Sequence, residues 1–230
     1  MTLCGIILAK YGSARADFLE EAHRIMDAAK TEGVLLRLLG ALAFHIHCPK
    51  FSYMQGRVRA LFGSRLIFYD ASDSSRHCDV FLDKLEFCHD VVFQGRLEVD
   101  DPTVPLAELL LEKMQIVKLN EKDAIDTIML LREHQIGGSD DDTINADHLS
   151  RLTARDWGLW KTFTINLENV RKAVQTYEKL SEEDKKDVSS KITALRARID
   201  NEPKTRGWKI RSQIGERRKW YRDVDELLRE

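Results

Sequence analysis

The sequence changes texture at Asp101-Pro102, and this change limits the fold more than any other feature. Upstream, apolar residues come in short runs bounded by Gly, Pro and polar clusters, the punctuation of strands and turns. Downstream, from Pro105, they recur at helical spacing almost without a break. Leu106, Leu109, Leu110, Met114 and Val117 form one stripe; Ile125, Ile128 and Met129 form a second, with Arg132 at its end. Further helices are predicted over residues 145–152, 154–180, 181–200 and 207–228, after a loop that holds Gly137-Gly138-Ser139 and the acidic Asp140-Asp141-Asp142. Ser181 with Asp184 three residues on has an N-cap pattern, and Asn201-Glu202-Pro203 separates the last two helices. The expected outline is α+β in front, residues 1–101, and all-α behind, residues 102–230.

The front part carries its own signals. Phe18, Ala22, Ile25, Met26 and Ala29 lie on one helical face over residues 17–31, and Gly33 stops that helix. The run Val34-Leu35-Leu36-Arg37-Leu38-Leu39, between Gly33 and Gly40, fits a buried strand. The Ala-rich stretch from Gly40 suits a helix start and ends at Pro49. Residues 57–69 and 77–83 flank the polar cluster 70–76 and predict an antiparallel hairpin, with Cys78, Val80 and Leu82 on one face of its second strand. A further strand is expected over 91–99.

Composition narrows the class. At 230 residues, about one and a half domains' worth, the chain can bury a real core. Hydrophobic residues at 43% and charged residues at 32% with a net charge of −2 exclude a disordered chain and a polyelectrolyte. No apolar run approaches transmembrane length, and the stretch near Cys4 is too short for a secretory signal, so a cytoplasmic protein without a membrane partner is expected. Four cysteines in a chain of this size read as free thiols.

Several segments together resemble a known family. They are Leu38-Leu39-Gly40-Ala41-Leu42-Ala43, the hairpin Leu66-Ile67-Phe68-Tyr69-Asp70 with Cys78-Asp79-Val80-Phe81-Leu82-Asp83, and Glu86-Phe87-Cys88-His89. Leu110-Leu111-Glu112-Lys113-Met114-Gln115, Asn120-Glu121-Lys122-Asp123-Ala124-Ile125-Asp126 and Asp156-Trp157-Gly158-Leu159-Trp160 continue the series. This string, over about residues 17–225, resembles the nucleotidyltransferase superfamily of polymerase-beta-like fold. More narrowly, it resembles small bacterial proteins related to the toxin nucleotidyltransferases of abortive-infection systems.

The resemblance implies a mixed sheet with helices, a Gly-rich turn whose backbone holds a triphosphate, and carboxylates binding two Mg²⁺ that clamp an in-line displacement. The reaction would move a nucleoside monophosphate from an NTP to a hydroxyl. Carried onto this chain, Gly40 and Ala41 would hold phosphates, with Ala41 standing where the family has a second small turn residue. Asp79 would bind metal and Lys113 would steady phosphates. Asp123, beside Asp126, would supply the helical acid, so Asp79 and Asp123 are the candidate catalytic residues. The family's Asp-x-Asp pair is absent: no Asp or Glu lies between Gly40 and Ile67. Two strands' worth of family sequence lacks a counterpart between Pro49 and Gly56. One carboxylate cannot furnish oxygen ligands for two divalent ions, which points to a degenerate enzyme or a binding protein that keeps the fold.

Two rival patterns compete. His45, His47 and Cys48, with His77-Cys78 and Cys88-His89, offer soft-metal ligands, but none has zinc-site spacing. From Lys204 to Arg222 eight basic residues meet the single acid Glu216, with Trp208, Trp220 and Tyr221 interleaved. Basic and aromatic residues together can hold RNA phosphates and stack bases, whereas charge on a helix is more often a solvated face.

Overall fold

Helical spacing after Pro105 becomes a bundle because the long helices each bring an apolar stripe and one short helix is buried on every side. The computed structural model describes residues 3–9, 15–40, 43, 46–47, 65–69 and 77–223. The chain divides into two compact units. Residues 1–86, 90–105 and 224–230 belong to the first, and residues 87–89 and 106–223 to the second. The main change of unit falls at Pro105/Leu106, a few residues after the change in texture.

The first unit is built on three strands, β1 (Leu3–Ala9), β2 (Arg65–Tyr69) and β3 (His77–Leu82). Their order is β1-β3-β2, with β3 in the centre and both pairings antiparallel. The expected hairpin is present, from Arg65 opposite Phe81 to Tyr69 opposite His77. The sheet is antiparallel throughout, not mixed. β1 was not expected: its run of apolar residues does not alternate, and a bulge between Cys4 and Ile6 skips Gly5, which breaks the period a strand would show. Helix α1 (Arg15–Thr31) covers the predicted 17–31, and Ala22 of its predicted stripe is fully buried. The short strands β4 (Lys84–Glu86) and β5 (Asp90–Val92) pair antiparallel.

Two expected strands are corrected. Residues 34–39 are not a strand: among them only Leu38 pairs, in a single parallel bridge with Thr103. Leu38 N–H donates to Pro102 O at 2.8 Å and Val104 N–H donates to Leu38 O at 2.9 Å. The apolar run is buried all the same, with Leu36, Leu38 and Leu39 in the core, so a buried run was mistaken for a paired one. Arg37 fixes this crossing by donating to the carbonyls of Asp100 and Leu36 and pairing with Asp101. The strand expected over 91–99 ends at Val92. Arg96 N–H turns back to Phe93 O, and Gly95 takes φ +70°, which a strand does not admit.

The second unit holds α2 (Leu106–Met114), α3 (Glu121–Glu133), α4 (Ala146–Thr153), α5 (Trp157–Thr176), α6 (Glu182–Asn201) and α7 (Arg206–Ile214). All nine residues of α2 are buried, and α3, α4, α5 and a short strand surround it. Around it, α5 contributes Phe163, Leu167, Val170 and Val174, and α6 contributes Val188, Ile192, Leu195 and Ile199, each a regular stripe. Each such fully buried side chain is worth about 1.5–3 kcal/mol. The predicted box is formed: Ser181 Oγ accepts from Asp184 N–H, and Asp184 accepts from Ser181 N–H.

This unit is not purely helical. Strands β6 (Gln135–Gly137) and β7 (Thr143–Asn145) pair in parallel across the Gly-rich loop. Three residues are too few to show a period, and Gly137 is required for the pairing: a Cβ there would meet Thr143 Oγ1 at 2.2 Å. The last helix is also shorter than predicted. It stops at Ile214, Gly215 takes φ +57°, and after a 3₁₀ turn (Gly215–Arg217) residues 218–223 are not helical. No helix among the described residues is long and apolar enough to cross a membrane.

The end of α2 lies in the core, where its free carbonyls need donors. Buried Asn166 supplies them: Nδ2 donates to Met114 O at 3.0 Å and to Ile116 O at 2.6 Å. Asn166→Leu keeps the volume but orphans two buried carbonyls. It is expected to lower unfolding stability by about 2–4 kcal/mol in urea denaturation, whereas a loss below about 0.5 kcal/mol would show that these carbonyls find other donors.

Candidate functional site

A helix buried on every side has no solvent face for charge, yet α2 carries Glu108, Glu112 and Lys113. Each must find a partner or be neutralised. Lys113 Nζ lies 3.0 Å from Asp123 Oδ1, 3.2 Å from Asp126 Oδ2 and 3.4 Å from Glu112 Oε1. Asp123 and Asp126 share one face of α3 because they are three residues apart, and Asn120, the N-cap of α3, accepts from Asp123 N–H and sets the first turn. Glu108 Oε1 meets His148 Nε2 at 2.9 Å. The polar atoms inside the bundle thus bind its helices to one another: Lys113 joins α2 to α3, and Glu108 joins α2 to α4.

The charges in this cluster are unequal. Burial alone would lower Lys113, but Glu112 and Asp123 outweigh it and hold the ammonium above its ordinary value. Burial pushes the Asp126 carboxyl up to about 8. The Asp126 oxygens are close enough to Lys113 for an ion pair but are not aligned for a hydrogen bond, and neither has a hydrogen-bond donor among the described residues. Half-buried Lys122 is held below its ordinary value by burial first and by the nearby Lys113 charge second.

The sequence-derived candidates fall as follows. Lys113 and Asp123 meet directly, with Asp126 and Glu112 completing the cluster. Gly40 takes φ +70°, a turn geometry that glycine adopts without strain. Ala41 lies outside the described residues. Asp79 sits on the central strand, opposite Ile7 on one side and Ile67 on the other. It is the only acidic residue on the three strands of that sheet. Such a donor set does not fit two Mg²⁺. In the second unit an ammonium already holds the centre of the acidic cluster. Among the described residues no group of three His, Cys, Asp or Glu could hold a metal ion.

The soft-metal pattern resolves differently. His45 and Cys48 lie outside the described residues. His47 Nε2 is 2.7 Å from Thr103 Oγ1. Cys88 is a buried free thiol, and buried His89 Nε2 is 2.8 Å from Thr162 Oγ1. Trp220 Nε1 donates to the same hydroxyl at 3.1 Å. Gly158 admits this arrangement, since a Cβ would meet Trp220 O at 2.6 Å.

The basic, aromatic C-terminal segment divides into spent and free groups. Its aromatic rings pack on one another and on α5. Trp208 meets Trp160 edge-on at 5.2 Å, Trp220 meets Trp157 at 6.1 Å, and Tyr221 meets Trp220 at 5.2 Å. Arg211 lies over Trp157 at 4.6 Å and donates to the carbonyls of Gly215 and Arg218. These edge-on contacts leave Trp208, Trp220 and Tyr221 half-buried. The Lys113 cluster and the Glu108–His148 pair were the features that sequence reasoning missed. Their one signal was acidic residues inside the apolar stripe of 106–114. No family model, curated protein or solved structure matches the chain.

Asp126 makes stability depend on pH. Its folded value lies above the unfolded one, so the native state holds an extra proton between about pH 4 and 8, and stability falls as pH rises through that window. The slope reaches at most about 1.4 kcal/mol per pH unit. Asp126→Asn is expected to flatten this fall when urea unfolding is compared at about pH 5 and pH 8; an unchanged slope would place the proton elsewhere. Lys113→Met is expected to cost about 3–5 kcal/mol, since it leaves buried carboxylates uncompensated, and to cost more at the higher pH.

Proposed function

We propose that this chain is a nucleotidyltransferase-like protein that binds a nucleoside triphosphate without completing two-metal transfer. The observation that carries the reading is the antiparallel sheet with Asp79 alone among its strand residues as a carboxylate, on the central strand. In-line transfer needs a cage of carboxylates around paired cations, and the absence of any Asp or Glu between Gly40 and Ile67 leaves that cage incomplete. Triphosphate binding asks less. Backbone N–H groups at a tight turn can hold phosphate oxygens without a metal cage, and Gly40 with its positive φ supports such a turn.

Lys113 bears on the same reading. To steady a phosphate it would have to leave Asp123, Asp126 and Glu112, exchanging partners of like charge for one another. Its contacts in the structure serve to neutralise that cluster. Mg²⁺ would enter with the triphosphate as its counterion, and no catalytic step of this chain is assigned to it.

Calorimetry with each NTP, in Mg²⁺ and then in EDTA, tests the proposal alongside an assay for released pyrophosphate. The expected result is binding of at least one NTP that persists in EDTA, with no pyrophosphate released. Mg²⁺-dependent release that Asp79→Ala abolishes would make the protein an active transferase. No binding of any NTP would remove nucleotides from its function and leave the fold as a binding body for other ligands.

A further inference from the structure

The segment from α7 to the following turn presents a combination the bundle does not use. Of the basic residues counted there, Lys204 is spent on the carbonyls of Ile199, Asp200 and Glu202, closing the end of α6. Arg211 is spent on Gly215, Arg218 and Trp157. Lys219 pairs with Asp223, and Arg222 donates to Phe87 O. The acid Glu216 is matched by Lys161 at 2.6 Å. Arg206, Lys209, Arg217 and Arg218 remain, all exposed, and their side chains have no ion pair or hydrogen bond among the described residues. Between them Ile210 and Ile214 stand 64% and 40% exposed.

The placement follows from helical period. Trp208 and Arg211 face α5, so Arg206, Lys209 and Ile210 fall on the opposite side of α7, and Ile214, one turn on from Ile210, lies at the flank between them and Arg211. Ile210 and Ile214 are four residues apart and make one short apolar ridge along the axis. The free cations lie along and beyond that ridge. An apolar ridge edged by unpaired positive charge is complementary to an amphipathic helix with an apolar seam flanked by carboxylates. We infer that the outer face of α7, from Arg206 to Arg218, docks an acidic amphipathic helical segment of a partner protein, with Ile210 and Ile214 as its apolar anchors.

The competing occupant, RNA, would use the same cations but not the isoleucines, and the rings that would stack bases are turned inward against each other. An anionic membrane would use both, but a nine-residue helix with two exposed apolar residues offers little to insert.

The test uses the full chain and a synthetic peptide of about 18 residues, with leucines on one helical seam and glutamates beside it. Its control is a peptide of equal composition scrambled to destroy the seam. Anisotropy titrations are expected to show the patterned peptide binding at least tenfold more tightly than the scrambled one. The double substitution Ile210→Ser with Ile214→Ser should remove that preference. Arg217→Glu with Arg218→Glu should weaken both peptides at least tenfold and flatten the salt dependence. Hydrogen exchange on the unsubstituted chain should show new protection within 206–218 on addition of the peptide, independently of how any variant folds. Equal binding of the two peptides, no protection at 206–218, or tighter binding of a uridine oligonucleotide or phosphatidylserine vesicles that ignores the isoleucine changes would each overturn the inference.

Discussion

The second unit depends on one buried ammonium. Helix α2 fills the middle of the bundle, and a helix in that position is stable only if every polar atom it brings is answered from a neighbour. Lys113 is answered by Asp123 and Asp126 from α3 and by Glu112 from its own helix. At an effective dielectric of about 20, each contact at this range is worth on the order of several kcal/mol. Removing each ion from water costs a similar amount. The net gain is therefore small while the penalty for breaking the set is large. The cluster acts less as glue than as a register pin: α3 can lie against α2 in only one axial position that satisfies Lys113. Asn166 at the C-terminal end of α2 and His148 beside Glu108 fix the same helix from two other sides.

The same ammonium decides what the acidic residues of α3 can do. Three carboxylates within reach of one point would ordinarily suggest a cation site. Here the cation is covalently part of the chain. A divalent ion would have to displace Lys113 into an interior that has no other place for its charge. Asp126 shows the strain of the arrangement, since it is buried with neither oxygen hydrogen-bonded and its carboxyl is pushed up to about 8. A carboxyl near neutrality is a poor ligand for Mg²⁺, which needs the ionised form. On the described sheet of the first unit, Asp79 has no acidic companion on any strand.

Much of this fold was legible before the structure, and the boundary of legibility is physical. Long elements with one periodic face announced themselves: α1, the two stripes and the further helices after Pro105, the pairing of residues 65–69 with 77–81 and the Ser181–Asp184 box. What failed was short or bent. The three residues of β6 cannot show a period, and β1 loses its period at the Gly5 bulge. The run at 34–39 is buried without being paired, because apolar content reports burial and not hydrogen bonding. The helix expected from residue 207 onward stops at Ile214 because Gly215 takes φ +57°, and the rings of Trp220 and Tyr221 pack on Trp157 and on each other instead of extending it. Site residues followed the same rule. Lys113, Asp123 and Asp126 could each be named, but their convergence depends on how α2 packs on α3, which no spacing within either helix encodes.

The C-terminal segment carries this argument furthest. Its composition, eight basic residues with tryptophans between them, fits either a nucleic-acid surface or a solvated helical face. The structure splits it by helical phase. One side of α7 turns Trp208 and Arg211 inward, where cation–π contacts of about 5 Å and shared carbonyls absorb them into the bundle. The other side keeps Arg206, Lys209, Ile210 and Ile214 in water. A helix whose only task was to cover α5 would not expose an isoleucine pair, since polar residues there would hold the same contacts at lower risk of aggregation. The two sides of α7 therefore differ in what they contact among the described residues: the inner side packs on α5, while the side chains of Arg206 and Lys209 on the outer side have no ion pair or hydrogen bond there.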